Sequence, residues 1–279
     1  MSFLRQMSLP VLTLAAAFLA FSAKTAAQSS YNLRSPDNRI EIRIRTAPNL
    51  RYDVLLKGRL SHRVIAGWPA ARDIRRELSY SLSTTLIFAA LGMVVFAMLI
   101  SGHIVIYRVL DRYGWFWLLA SLPAMILWHD AYFYWTHRLL HTPWLFRRVH
   151  RVHHRSRSPS PWAAYAFHPV EAVINGLVVP LALLVVPLHV GVIFLFGIHQ
   201  IVRNAHGHAA VEIMPRGFVR HWLWGRFTTT THHHLHHETA RGNYGLWFTW
   251  WDRWCGTERA EYLSRFEKAT RPKVVAVTP

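Results

Sequence analysis

Three histidine clusters constrain this chain more than any other feature. They read HRLLH from residue 137, HRVHH from residue 150 and HHLHH from residue 233, and they supply His137, His141, His150, His153, His154, His233, His236 and His237. Residues three and four apart share one face of a helix, so each cluster is expected to aim its imidazoles at one point. Eight nitrogens with no thiolate among them exceed the four ligands of a structural zinc site. The pattern therefore predicts two bound metal ions.

The composition predicts a membrane protein. Hydrophobic residues make up 52% of the chain and charged residues 16%, whereas an ordinary soluble domain has roughly 25% charged residues. The formal charge is +18, but the arginines lie beside apolar segments rather than in a separate basic domain. Contact with anionic lipid explains them better than contact with nucleic acid, so no nucleic-acid partner is expected. The single cysteine, Cys255, excludes an internal disulfide framework and a cysteine-rich zinc site.

Apolar runs predict about four transmembrane helices. The first run extends from about Leu82 to Tyr107, and the second from about Trp115 to Trp135, where it leads into the first histidine cluster. Residues 170–202 hold a further apolar stretch, which Pro180 and Pro187 are expected to break into a hairpin of two spans. The fold class is therefore all-α, with a helical cap that carries the histidine clusters.

Arginines set the expected orientation of these spans. They follow the second span, from Arg138 to Arg157, and the fourth, from Arg203 to Arg226. By the positive-inside rule the loops that hold them are cytosolic, which places the metal site on the cytosolic side. We expect a multi-pass protein of a bacterial inner membrane.

The N-terminal region has a different character. Residues 1–27 resemble a signal peptide, and residues 28–71 form an appendage of uncertain origin. Within that appendage Ile40, Ile42 and Ile44 alternate with polar residues, which predicts a β-strand. A cleaved signal would export everything after it, whereas the arginines near residue 72 place the start of the first span inside. These two expectations exclude each other, and we prefer the topology of the predicted catalytic domain, residues 72–260, which a tail of residues 261–279 follows.

Six motifs carry a resemblance to a known family. They are HDAYFYWTHRLLH from 129, HRVHH from 150, FHPVE from 167, GHAAVEIMP from 207, HHLHHE from 233 and NYGLWFTWWDRWCGT from 243. In order and spacing they resemble the fatty acid hydroxylase and sterol desaturase superfamily of membrane-bound di-iron oxygenases. The resemblance implies two iron ions, for which zinc could substitute, O2 as co-substrate, and hydroxylation or desaturation of a lipid.

The resemblance also assigns roles to residues. The eight clustered histidines match the family's metal ligands, and His208, in the motif GHxxxE, matches a ninth. In the third cluster only a start at His233 places a histidine at every ligand position. Ligating histidines usually donate their second N–H to a carboxylate or carbonyl, and nearby carboxylates are Asp130, Glu171, Glu212, Glu238 and Asp252. Of these, the motifs support Asp130 and Glu212 best as outer partners of the ligands.

Two classes of function remain open. The first is an O2-dependent lipid hydroxylase or desaturase that acts on a fatty acyl, sterol-like or isoprenoid chain. No flavin, nicotinamide or iron–sulfur motif is present, so a cytochrome b5-like protein or a ferredoxin and its reductase would deliver electrons. The second is a histidine-rich membrane metal transporter or metal sensor without oxidase activity, for which ligands near the bilayer midplane are expected. A zinc hydrolase is a weaker option, since the HExxH motif is absent.

Overall fold

A computed structural model of the chain describes residues 30–34, 40–45, 51–56, 59–64, 69–157 and 159–271. The described part is mostly helical, and the predicted signal-like segment 1–27 lies outside it. The α-helices are α1 (Ala71–Ile100), α2 (Gly114–Leu140), α3 (Pro143–Leu145), α4 (Arg151–His154), α5 (Pro169–Gly176), α6 (Val178–Val185), α7 (Val190–Gly207), α8 (Thr230–Thr239), α9 (Trp250–Trp254) and α10 (Tyr262–Thr270). A π-helical turn (Phe146–His150) and four 3-10 turns complete them: Leu110–Arg112, Pro161–Tyr165, Phe218–Arg220 and Trp224–Arg226.

Helix α1 is the one helix of the described residues that is both long and apolar enough to cross a membrane. Large apolar side chains such as Leu82, Leu86 and Met93 are exposed along it, which is favourable only in an apolar medium. The helix begins earlier than the predicted span and ends at Ile100 rather than near Tyr107. It ends there because Gly102 adopts a φ of 77°, a left-handed conformation that stops a helix.

The remaining predicted spans coincide with shorter or more polar helices. The second lies within α2, and the stretch 170–202 is divided among α5, α6 and α7. The break in that stretch lies between Val185 and Val190, around Pro187, as predicted. A shorter interruption at Leu177 separates α5 from α6 and places Pro180 in the first turn of α6, where a backbone N–H has no helical partner to lose. The number of membrane crossings stays a prediction.

Two apolar clusters hold the helices together. The larger one joins α2, α6 and α7 to the segment before α9, and consists of Ile104, Met125, Ala182, Leu183, Leu188, Val192, Phe196, Leu246 and Trp247. The smaller one packs α8 against α10 through Leu235, Tyr262 and Phe266. The first cluster fixes α2, α6 and α7 against one another, and the second fixes the helix that carries the third histidine motif.

The N-terminal strands form a sheet that joins the helical part. Strands β1 (Ser30–Arg34), β2 (Ile40–Arg45), β3 (Arg51–Leu56) and β4 (Arg59–Val64) are antiparallel neighbours, and β2 confirms the strand predicted from the isoleucine alternation. Strand β4 also pairs with β7 (Val211–Glu212), which closely follows His208. A separate pair joins β5 (Ile106–Tyr107) to β6 (Leu188–His189). The sheet therefore lies on the same side of the helices as the residues around His208.

Gly245 provides a test of how tightly the segment before α9 is packed. A β-carbon at Gly245 would lie 2.4 Å from the backbone oxygen of Phe248 and 2.9 Å from a carboxylate oxygen of Asp252. We expect Gly245→Ala to lower the free energy of unfolding by about 1–3 kcal/mol through overpacking. Chemical unfolding in detergent micelles measures the change.

The matched control is Gly197→Ala in α7, where nothing lies within 4 Å of the added carbon. This variant should be neutral or more stable by about 0.5–1 kcal/mol, because alanine favours a helix more than glycine does. Equal effects of the two substitutions would contradict the packing described here.

Candidate metal centre

The structure brings together all nine histidines that the sequence singled out. Their nitrogens form two sets, and within each set the facing atoms lie within 4.8 Å of one another. Group A consists of His137, His141, His150, His154 and His236, and group B of His153, His208, His233 and His237. Eight of the nine side chains are buried, and His141 is half-buried. His232 and His234 belong to neither group, which agrees with the choice of His233 as the start of the third motif.

Helix geometry distributes the two HxxHH motifs between the groups. The second motif gives His150 and His154 to group A and His153 to group B, and the third gives His236 to group A and the other two to group B. The expectation that each cluster would aim at one point is therefore wrong for these two motifs. Consecutive helical residues point about 100° apart, and the rings of His153 and His154 are inclined at 88°. Two consecutive histidines on one helix therefore point into different groups.

Three of the elements that carry the grouped histidines end at the site. His137 lies in the last turn of α2, which His141 terminates. His150 ends the π-helical turn, a local widening that often occurs at functional sites. His208 terminates α7, and Gly207 beside it lies against the ring of His233.

The distances between Nε2 atoms match those of ligands around a metal ion. Neighbouring Nε2 atoms lie 3.1–3.2 Å apart in group A and 3.0–3.4 Å apart in group B. Atoms bound about 2.1 Å from one metal ion lie about 3.0 Å apart at an octahedral edge and about 3.4 Å apart at a tetrahedral edge. Both groups therefore have the dimensions of a metal-coordination shell.

Hydrogen bonds at the Nδ1 atoms determine which ring nitrogen carries the proton. The Nδ1 atoms of His137, His236 and His208 lie 2.7–2.8 Å from the backbone oxygens of Tyr244, Gly242 and Asn204. A carbonyl oxygen only accepts, so each Nδ1 donates its hydrogen and the neutral ring leaves a lone pair on Nε2. These lone pairs point into the groups, where they repel one another unless a cation lies between them.

Burial keeps the imidazoles neutral. It lowers the pKa of His154 to about 3 and that of His208 to about 4. The pKa values of His153, His233 and His237 lie well below the ordinary value, because burial and neighbouring imidazoles both disfavour the charged form. Neutral imidazole is the form that binds metal ions.

Glu171 is the carboxylate that contacts a ligand histidine. Its Oε1 lies 2.8 Å from Nδ1 of His150, and both side chains are buried. Sequence reasoning considered Glu171 but preferred Asp130 and Glu212, and the structure places both of those elsewhere. Asp130 accepts from the indole N–H of Trp250 at 2.7 Å, and Glu212 accepts from Thr231. Both carboxylates are buried, but sequence spacing could not tell which carboxylate faces an imidazole.

The other carboxylates hold the frame around the histidines. Glu212 accepts hydrogen bonds from the backbone N–H and hydroxyl of Thr231, at 2.9 and 2.7 Å, in the first turn of α8. Asp252 accepts from the backbone N–H groups of Tyr244 and Gly245, both at 2.8 Å, and so fixes the carbonyl that His137 contacts. Glu238 is exposed and pairs with Arg265.

Aromatic rings cover the metal groups. Phe146 contacts the rings of His141, His150 and His154, and Tyr244 lies against His137, His141 and His236. Phe167 packs on His153 in group B. Such walls keep bulk water away from the inward-facing nitrogens.

Comparison with known proteins identifies the relatives of this chain. The model of the family described as "Fatty acid hydroxylase" matches residues 122–257, the segment that contains all nine histidines. The chain belongs to the fatty acid hydroxylase and sterol desaturase superfamily. This confirms the resemblance seen in the six sequence motifs.

The similar proteins bear the names of sterol-modifying enzymes. The chain is 33% identical over 190 residues to a Delta(7)-sterol 5(6)-desaturase of Gibberella zeae, covering 67% of this chain and 57% of the relative. It is 33% identical to a Delta(7)-sterol 5(6)-desaturase of Aspergillus fumigatus, covering 67% and 63%, and 28% identical to human lathosterol oxidase, covering 65% and 60%. The chain thus matches less than two thirds of each relative's length. No solved structure matches it significantly.

Glu212 allows a test of how the third histidine motif is held. Glu212→Ala should lower the free energy of unfolding by about 1–3 kcal/mol, because the buried N–H of Thr231 would lose its acceptor. Unfolding in detergent, followed by circular dichroism, measures the loss. Glu238→Ala is the control and should change stability by about 0–1 kcal/mol, since it removes an exposed ion pair. An equally stable Glu212→Ala protein would contradict the capping role.

Proposed function

We propose that this chain is a membrane-bound, O2-dependent lipid oxidoreductase that holds one iron ion in each histidine group. The observation that carries the proposal is the convergence of nine Nε2 atoms at ligand-edge distances in two adjacent sets. An all-imidazole donor set suits iron and also zinc, which could occupy the groups as a substitute. Membership of the superfamily favours iron.

The chain's own residues have defined tasks in this proposal. Carbonyl oxygens of Tyr244, Gly242 and Asn204, and the carboxylate of Glu171, orient the ligand rings and keep Nε2 unprotonated. The aromatic walls limit access of water. Bound iron would supply the reductive activation of O2 that cleavage of an unactivated C–H bond requires, which amino-acid side chains alone do not supply.

The overall reaction balances in two ways. Hydroxylation takes one O2, two electrons and two protons, and yields the hydroxylated lipid and one water. Desaturation takes the same co-reactants, removes two hydrogens from adjacent carbons and yields two waters. The electrons come from a separate redox protein, either cytochrome b5-like or a ferredoxin with its reductase.

The names of the relatives favour a sterol-like lipid over a fatty acyl or other isoprenoid chain. Two are Delta(7)-sterol 5(6)-desaturases and a third is a lathosterol oxidase. The exposed apolar side chains of α1 are consistent with a substrate that reaches the site from the bilayer. We place the metal groups at the cytosolic membrane surface, since Arg147, Arg148 and Arg151 are exposed beside them.

The arrangement of the helices also bears on the N-terminal region. Arg76, near the start of α1, donates to Ser156 just beyond the second histidine motif, so α1 begins on the side of the metal groups. The β-sheet pairs with β7 on that side as well. The sheet and the cap then share one side of the membrane, and a cleaved signal peptide would export both.

A metal transporter or sensor is the competing proposal. Transport favours ligands on facing helices near the bilayer midplane, whereas these histidines lie at the ends of α2 and α7, in short turns, and on the ten-residue polar helix α8. A metal transporter or sensor would bind metal without changing the lipids of the cell, so lipid analysis distinguishes the two functions.

The proposal is tested by lipid analysis of cells that express the chain with a redox partner. We expect an oxidised lipid product with the wild-type chain and its loss with His153→Ala, which removes one group B ligand. His103→Ala is the matched control, because His103 is exposed and bonds to Ser101, and it should leave the product unchanged. Identical lipid profiles with the wild-type chain and His153→Ala would overturn the oxidoreductase proposal.

Metal content provides a second readout that does not depend on turnover. Protein purified in detergent and loaded with iron under reducing conditions should hold two ions per chain. His153→Ala and His150→Ala should each lose about one, because they alter different groups. A wild-type content far below two would contradict the two-site proposal even if lipids changed.

Glu171 should tune metal affinity through His150. Glu171→Ala removes the hydrogen-bond acceptor of a ligand imidazole, which typically costs 10–100-fold in metal affinity. Glu171→Gln retains an acceptor oxygen and should lose less, whereas Glu238→Gln should behave like the wild type. Competition with a chelator measures the three variants. If Glu171→Ala retains metal as tightly as wild type, the carboxylate has no role in the site.

A further inference from the structure

Three consecutive apolar side chains are exposed in the loop between β7 and α8. Trp222 is 76% exposed, Leu223 41% and Trp224 50%. We call Trp222, Leu223 and Trp224 the aromatic tip. Scattered exposed apolar residues are normal in proteins, but a contiguous group that includes two tryptophans marks a contact surface.

The fold holds the aromatic tip in its outward position. The N–H of Gly225 donates to His221 O at 2.9 Å, and Arg253 Nη2 donates to Gly225 O at 2.9 Å. A β-carbon on Gly225 would lie 2.3 Å from the backbone oxygen of Val219, so only glycine fits this tight turn. The exposure of the tip is therefore built into an ordered loop.

A continuous run of aromatic contacts leads from the tip to the membrane-side helices. Trp224 contacts Phe227, whose ring centroid is 6.0 Å away, and the run continues through Phe248, Trp250, Trp254 and Trp251 to Trp135. Trp135 is exposed and lies on α2 at the end of the predicted second span. Tryptophan and tyrosine are enriched at the membrane–water interface. The run therefore connects the tip to the end of α2, where the predicted second span leaves the bilayer.

The charges beside the tip complement a phospholipid surface. Arg216 and Arg226 flank it and are exposed, and residues 215–227 contain no acidic side chain. Arg220 is also exposed but pairs with Glu267 at 2.5 Å. Exposed arginines next to tryptophans suit a layer in which lipid phosphates lie just outside the hydrocarbon.

We propose that the segment 220–226 is an interfacial anchor that inserts the aromatic tip into the boundary between phospholipid headgroups and acyl chains. Arg216 and Arg226 then contact lipid phosphates. The occupant of this surface is the bilayer itself, with which the aromatic run is continuous through Trp135. The anchor lies between His208 and His233, so it ties the part of the cap that carries group B to the membrane independently of the spanning helices.

Site-directed fluorescence tests the anchor without reference to catalysis. Cys255 is the single cysteine, so a Cys255→Ser background allows one label at a time. Leu223→Cys and Trp222→Cys would each carry an environment-sensitive fluorophore, in the full chain reconstituted into phosphatidylcholine–phosphatidylglycerol vesicles. Spin-labelled phospholipid and aqueous iodide serve as the two quenchers.

Two further labels calibrate the measurement. Leu86→Cys lies on the exposed apolar face of α1, and Ser264→Cys lies on the exposed surface of α10. We expect labels at 222 and 223 to be quenched by shallow spin-labelled lipid several-fold more than the label at 264, and by iodide several-fold less. The label at 86 should respond to more deeply placed spin labels.

Two results would overturn the anchor. Strong iodide quenching at 222 and 223, equal to that at 264, would show that the tip lies in water. Protection from both quenchers would show that a protein surface covers the tip instead of lipid. The phosphate contacts are tested by comparing vesicles with and without phosphatidylglycerol. Lipid quenching of the labels at 222 and 223 should be stronger with phosphatidylglycerol, and the double variant Arg216→Gln, Arg226→Gln should abolish this increase. An undiminished increase in the double variant would show that the arginines do not contribute to the anchor.

Discussion

The repulsion among converging Nε2 lone pairs is the constraint on which the rest of this structure depends. Three of the buried neutral imidazoles, His137, His236 and His208, donate the Nδ1 hydrogen to a carbonyl oxygen and so present a lone pair on Nε2 to their neighbours. Such an arrangement is unfavourable unless cations occupy the centres, and each centre then becomes a cross-link between helix ends. In group A the cross-link joins α2, the π-helical turn, α4 and α8, and in group B it joins α4, α7 and α8.

Much of the surrounding chain serves to hold these rings in place. Backbone carbonyls near Asn243 and the end of α7 fix the ring orientations, and Asp252 and Glu212 in turn fix the backbone. Non-glycine residues with positive φ occur beside the ligands, at Ala210, Ala240 and Asn243. Backbone in this sparsely populated region is tolerated where surrounding contacts over-determine it, which is common next to functional sites.

The membrane-facing and metal-binding parts of the chain follow different physical rules. Helix α1 exposes apolar side chains and is specified mainly by length and hydrophobicity, so composition alone predicts it. Helix α8 is almost entirely polar in sequence and yet buried. It is held by capping from Thr229, by hydrogen bonds from Thr231 to Glu212, and by packing against α10.

The sequence by itself indicated the eight clustered histidines and the presence of a long apolar helix, because helical spacing and hydropathy are local properties. The resemblance of its motifs to the family added His208 and the register of the third motif at His233. The tertiary structure decided how the histidines divide between two centres, since that division depends on where four separate chain segments meet. It also decided that Glu171 rather than Asp130 or Glu212 faces one of the grouped histidines, and that the helices of residues 169–207 are separated both at Leu177 and around Pro187. A carboxylate's partner and a proline's position within a turn depend on three-dimensional neighbours, which no spacing rule along the chain encodes.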